Sequence, residues 1–148
     1  MSSYQRNVVI THNNIPNSKK SCQALEAVNI LVDAINRGDL QSALNTYEAN
    51  ANLLIGAGKM AHGKHAIRAA LEEFISKKYA IESLSAELIE DTEMAVCCQR
   101  WILKKSFGEN NFEQETGVSV KVVRRQADGN WLISIDSPWG IDILADVF

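Results

Sequence analysis

The sequence predicts an α+β fold, with helices gathered first and antiparallel strands last, the helices packed on one face of a bent sheet. Three observations carry this. Apolar residues in the first half recur at helical spacing, those in the second half alternate, and an Asp-Gly turn joins the last two alternating runs. The chain has 148 residues, which suits one domain. A domain of this length buries about 68–70% of its unfolded surface and needs no staple.

Residues 1–20 are polar, with Asn13, Asn14, Pro16 and Asn17 clustered. They read as a flexible arm in which Val8 to Ile10 can pair with another strand. The single domain is expected over 21–148. From Ser21, Leu25, Val28, Leu31, Val32 and Ile35 fall at helical spacing. Gly38 ends this helix, and Asp39 caps a second, DLQSALNTYE, whose end carries Tyr47. ANLLI (Ala51 to Ile55) reads as a short buried strand. A third helix is expected from Lys64 to Lys78, with Ile67, Ala70, Leu71 and Phe74 on one face. The rest is β. Ala80 to Glu90 alternates imperfectly through Ile81, Leu84 and Leu88. Met94 to Phe107 is long enough for a curved strand. Phe112 to Arg125 alternates, and ADGN (Ala127 to Asn130) turns the chain into WLISIDS. The tail PWGIDILADVF is apolar and should be tied down, on its own domain or on a partner.

Hydrophobic residues make up 46% and charged residues 22%, with a net charge of −3 and no basic block, so nucleic-acid binding is not suggested. No run reaches the apolar length of a membrane span. The first twenty residues lack the apolar core and cleavage site of a signal peptide. Cys22, Cys97 and Cys98 are odd in number and two are adjacent, a poor disulfide framework. Reduced thiols in a cytoplasmic protein are the simpler reading, with a vicinal redox pair at Cys97–Cys98 as the alternative.

One stretch asks for a decision. GKMAHGKH (Gly58 to His65) follows an apolar run, precedes a helical pattern, and nearly spells a phosphate-binding loop. That loop needs a hydroxyl after its lysine to help hold magnesium, and here the position is His65. Nor does strand–helix alternation follow, as a parallel sheet requires. The simpler reading turns a hairpin at Gly56 and Gly58 and enters the helix tightly at Gly63, leaving Lys59 and Lys64 as solvated surface charges.

AINRGDLQSALNTYEANANLLI, GKMAHGKHAIRAAL and VVRRQADGNWLISID, in this order and spacing, resemble the nuclear transport factor 2-like superfamily over roughly Ala24 to Ser137. That superfamily includes ketosteroid isomerases, SnoaL-type cyclases and kinase association domains. The resemblance implies a cone: about three N-terminal helices packed in a strongly curved antiparallel sheet that encloses a pocket. It also implies that Gly63 starts the third helix, with no phosphate involved. The isomerase pattern, anchored on Gly38-Asp39-Leu40, puts its tyrosine at Leu31, its base near Ile55 and its protonated acid near Lys121. All three roles are empty, so steroid-isomerase chemistry is not expected.

Within that frame Asp136 is the candidate acid or base, because a carboxyl facing an apolar cavity has a raised pKa; the alternative is a strand-end Asp bonding the turn at Ser137 and Pro138. Strict alternation puts Trp131, Ile133 and Ile135 on one side and Leu132, Ser134 and Asp136 on the other. Tyr47 and Trp101 are candidate pocket residues, against ordinary core packing. Trp139 joins them from the tail. Of Arg100 and Trp101 only one faces inward; Trp101 is favoured, while an inward Arg100 would anchor a carboxylate or phosphate. His62 can reach the pocket mouth. His62 and His65 form H-x-x-H, but no third ligand is evident, so neither a metal nor a cofactor is expected. Three functions follow: a small-molecule-binding domain with a largely apolar pocket for a hydrophobic or partly polar ligand, a SnoaL-like isomerase, cyclase or hydratase using Asp136, or a homo-oligomerisation module. A homodimer is the default under all three.

Overall fold

The computed structural model describes residues 9–11 and 22–140. The apolar tail beyond Gly140, and all of the arm before Cys22 except Val9–Thr11, lie outside the described residues. Seven strands form one sheet in the order β1-β4-β5-β6-β7-β2-β3, with three helices packed on it. The strands are β1 (Val9–Thr11), β2 (Tyr47–Gly56), β3 (Lys59–His62), β4 (Ala80–Glu90), β5 (Met94–Ser106), β6 (Phe112–Arg125) and β7 (Trp131–Ser137). All neighbours run antiparallel except β2 and β7, which pair in parallel. Helices α1 (Cys22–Arg37), α2 (Leu40–Leu44) and α3 (Gly63–Ser76) complete the elements of the described residues. The α+β order is the expected one.

Local chemistry explains the junctions. Gly38, at φ +71°, closes α1: its N–H donates to the Ile35 carbonyl and the Asp39 N–H to the Ala34 carbonyl. This left-handed cap satisfies carbonyls that the helix end would otherwise orphan. Asp39 then caps α2, accepting from the Ser42 N–H and hydroxyl. The second helix is shorter than the pattern suggested. It stops at Leu44, and Tyr47 opens β2 instead of ending α2. Asn45 and Thr46 bond back to the turn, and the Ile133 N–H donates to the Thr46 carbonyl, so pairing with β7 overrides the helical spacing.

The near-phosphate loop is a hairpin and a strand. Gly58, at φ +69°, turns β2 into β3, and β3 occupies the stretch that would have to wrap a phosphate. Gly63, at φ +80°, opens α3. Lys64 is not a solvated charge. Half-buried, it donates to the Leu44 carbonyl at 2.9 Å, capping α2, and burial lowers its pKa.

The core lies between the helices and the inner face of the sheet. Ala24, Val28, Leu31 and Ala34 of α1 and Ile67 and Leu71 of α3 pack on Leu88, Cys97, Val123 and Ile133. Two strands break strict alternation. In β4 the register slips between Ser83 and Ser85, which explains the imperfect pattern there. In β7, Ile133 pairs with Val123 and Ile135 with Val122, leaving Ser134 as an extra residue. That bulge inverts the phase of the strand. Ile133 and Asp136, three positions apart, are both buried, and Ile135 is exposed. The grouping of Ser134 with Asp136 and of Ile133 with Ile135 is therefore corrected by one bulge.

Candidate functional site

Register determines what meets inside the cone. One row runs across six strands: Leu88, Cys97, Lys121, Asp136, Leu53 and Ala61. Its ends are apolar and its centre is ionic. Lys121 Nζ donates to Asp136 Oδ1 at 2.6 Å, with both side chains buried. The Tyr47 hydroxyl, at the start of β2, donates to Asp136 Oδ2 at 2.5 Å. Each carboxylate oxygen thus accepts one charge-assisted or phenolic bond, the condition under which a buried charge is tolerated.

The cluster sets the acidities around it. Burial raises the Tyr47 hydroxyl well above its ordinary value of 10.0, and the negative Asp136 raises it further, so Tyr47 is a donor and not an acid at neutral pH. Burial likewise pushes the Cys97 thiol up to about 11, against the opposing pull of Lys121. Cys98, half-buried on the other face, is also raised, by burial and then by Glu87. Neither thiol has the depressed pKa of a reactive cysteine.

The next rows toward the strand ends are polar and aromatic. Gln99 faces Ser119, both buried, and Trp101 faces Gly117. The Trp101 ring lies over that glycine, where a Cβ would stand 2.3 Å from it. Its Nε1–H donates to the Pro138 carbonyl at 2.8 Å, and Trp139 meets it edge-on with centroids 4.9 Å apart. Trp101 is thus buried and Arg100 exposed on the opposite face. His62 is exposed, with Nδ1 2.8 Å from Asn52 Oδ1. The structure therefore brings Tyr47 and Asp136 together and sets Trp139 edge-on against Trp101. It leaves His62 and Arg100 apart from both. Two grooves on the described residues, one walled by Trp131 and one by Leu103, include none of these six positions in their linings. The inner face, apolar over most of its length, carries a polar strip at its centre: the Tyr47 hydroxyl, Gln99, Ser119, Lys121 and Asp136 are all buried on it.

Lys121 is the residue that sequence reasoning missed. It lies in SVKVV, where both parities carry valine, so alternation did not choose its face. Nothing in the spacing told of Asp136 as its partner, because the bulge decides that pairing.

Among the described residues no group of His, Cys, Asp and Glu could hold a metal ion, and no helix is long and apolar enough to cross a membrane.

No protein-family model matches the chain, and no curated protein matches it. Solved structures do. An NTF-2-like protein of unknown function from Shewanella oneidensis is 23% identical, with a TM-score of 0.64 over 78% of this chain and 95% of that one. A putative calcium/calmodulin-dependent protein kinase II association domain from Xanthomonas campestris is 16% identical, with a TM-score of 0.71 over 84% and 90%. A putative ketosteroid isomerase from Shewanella frigidimarina is 15% identical, with a TM-score of 0.68 over 77% and 92%.

Proposed function

We propose that this chain, which has the nuclear transport factor 2-like fold, serves as a self-associating module whose contact surface is the outer face of its sheet. The observation that carries this reading is one row on that face. Ile89, Val96, Val122 and Ile135 lie side by side across four strands, directly behind the core. Ile89 is 69% and Ile135 48% exposed, and Val118 adds a further exposed valine nearby. Contiguous apolar area of this kind marks an interface more often than bare surface. The same face carries Glu87 beside Cys98 and Arg100 beside Val118. A patch bearing both signs can complement itself across a two-fold axis. Likeness to a structure described as an association domain supports the same reading. The buried cluster fits it too, since Tyr47 and Asp136 satisfy each other and leave no exposed reactive atom.

Sedimentation velocity at micromolar protein tests it. The wild-type chain should sediment as a dimer or larger, and Ile135→Lys as a folded monomer. A monomeric wild type ends the proposal. The Cys97 and Cys98 thiols, buried and half-buried and both free, support a cytoplasmic location.

A second reading rests on the polar inner face. Burying an ion pair with Gln99 and Ser119 stabilises a fold no better than hydrocarbon of the same shape would. Its presence supports a site for a small, partly polar molecule over Trp101 and Lys121. An enzyme using Asp136 as a base has less support, because both its oxygens already accept bonds. Native mass spectrometry of the purified protein against its denatured mass tests the binding reading. Extra mass released by denaturant supports it, and a ligand-free mass counts against it.

A further inference from the structure

A groove walled in part by Trp131 lies outside the cone, and neither reading above uses it. Its volume is about 400 Å³, within the range of small-molecule sites, roughly 300–1,000 Å³. Three pieces wall it: one edge of α1, the turn from α2 into β2, and the β6–β7 hairpin. Trp131 supplies an indole, half-buried because its other side packs on the core.

The polar groups of the lining are oriented and only half used. Asn45 Oδ1 accepts from Gln41 Nε2 at 2.9 Å, which fixes the amide and leaves its N–H groups without a partner among the described residues. Asn130 is fixed in the opposite sense. Its Nδ2 donates to Asp128 Oδ2 at 3.1 Å, leaving the carbonyl oxygen available. Glu26 makes no ion pair among the described residues, and Gln23 stands beside it on α1.

This set selects a chemistry. Phosphates and carboxylates are anions that chiefly accept; they would meet Glu26 and find no Lys, Arg or His in the lining. A protonated amine only donates and a quaternary ammonium neither donates nor accepts, so either cation would leave the Asn45 N–H groups unmatched. A hydroxyl both donates and accepts, so a ring of hydroxyls can answer Asn45 and Asn130 together. A sugar ring also has an apolar face of C–H bonds, which suits the indole. We propose that this groove is a saccharide-binding site, with Trp131 as its platform and Asn45, Asn130 and Glu26 as its hydroxyl partners.

The test is NMR titration of the full ¹⁵N-labelled chain with D-glucose, N-acetyl-D-glucosamine and cellobiose, using choline chloride and inorganic phosphate as counter-probes. The Trp131 indole cross-peak, identified with Trp131→Phe, is the readout. At least one sugar should shift it saturably. Asn45→Ala and Asn130→Ala should each weaken that sugar by up to about tenfold, the size of one lost hydrogen bond, with the remaining spectrum unchanged. The proposal is overturned if no sugar moves the Trp131 peak, if choline or phosphate moves it and sugars do not, or if both asparagine variants bind the sugar as tightly as wild type.

Discussion

Removing Lys121 is the sharpest perturbation available. Lys121→Met keeps most of the side chain's volume but leaves Asp136, 2% exposed, with Tyr47 as its remaining partner. Breaking one side of a buried ion pair costs about 3–5 kcal/mol, because a charge is left in a site that cannot solvate it. For a domain of this size that is roughly 10 °C in Tm. Lys121→Met/Asp136→Leu removes both charges together. It should recover part of the loss, since replacing a buried pair by hydrocarbon is often neutral, while the buried Tyr47 hydroxyl, left without its acceptor, keeps a cost of about 1–3 kcal/mol. Urea unfolding of wild type, both single variants and the double closes the cycle, and the coupling energy should exceed about 1 kcal/mol. Single variants that each cost less than that, or a double variant equal to their sum, would refute the reading of row and bulge that puts these groups in contact.

Alkaline stability follows from the raised hydroxyl and thiol. Tyr47 is protonated in the fold above the pH at which it ionises unfolded, so its contribution is complete below pH 10 and is lost as pH climbs toward the raised value. The wild-type urea midpoint should therefore fall faster above pH 10 than that of Tyr47→Phe. Cys97 acts in the same direction between its ordinary 9.0 and about 11, so Cys97→Ala should flatten the earlier part of that decline. Gly117→Ala sets a methyl inside the Trp101 ring; it should cost about 1–3 kcal/mol in urea unfolding and shift the tryptophan emission as the Pro138 hydrogen bond breaks. Ile67→Ala, at a fully buried position of α3, should cost about 2–5 kcal/mol by the same assay.

What the sequence disclosed was mostly local. Gly38 with Asp39, Gly58 and the Asp128-Gly129 turn each need one backbone geometry that few other residues supply, so their places could be read directly. The long alternating runs gave β5 and β6 almost to the residue. Non-local facts were hidden. Tyr47 sits after a helical pattern and becomes a strand only because Ile133 pairs across from it. Leu84 and Ser134 are ordinary residues at bulged places, and nothing in their identity announces a phase change. The Lys121–Asp136–Tyr47 cluster needs three strands in register before it exists, so no single segment could reveal it.

The bulge at Ser134 has a bearing on how this strand can vary in length. Ile133 faces in, Ile135 out and Asp136 in, so a chain lacking Ser134 would alternate regularly and turn no side chain over. It would give up the Arg124 bond to the serine hydroxyl and little else. Loss of Ile135 instead would bring Ser134 to the outward place and remove the exposed isoleucine from the apolar row. A single codon can therefore disappear from this strand at one site with the interior intact, and one position further on only by rewriting the exterior.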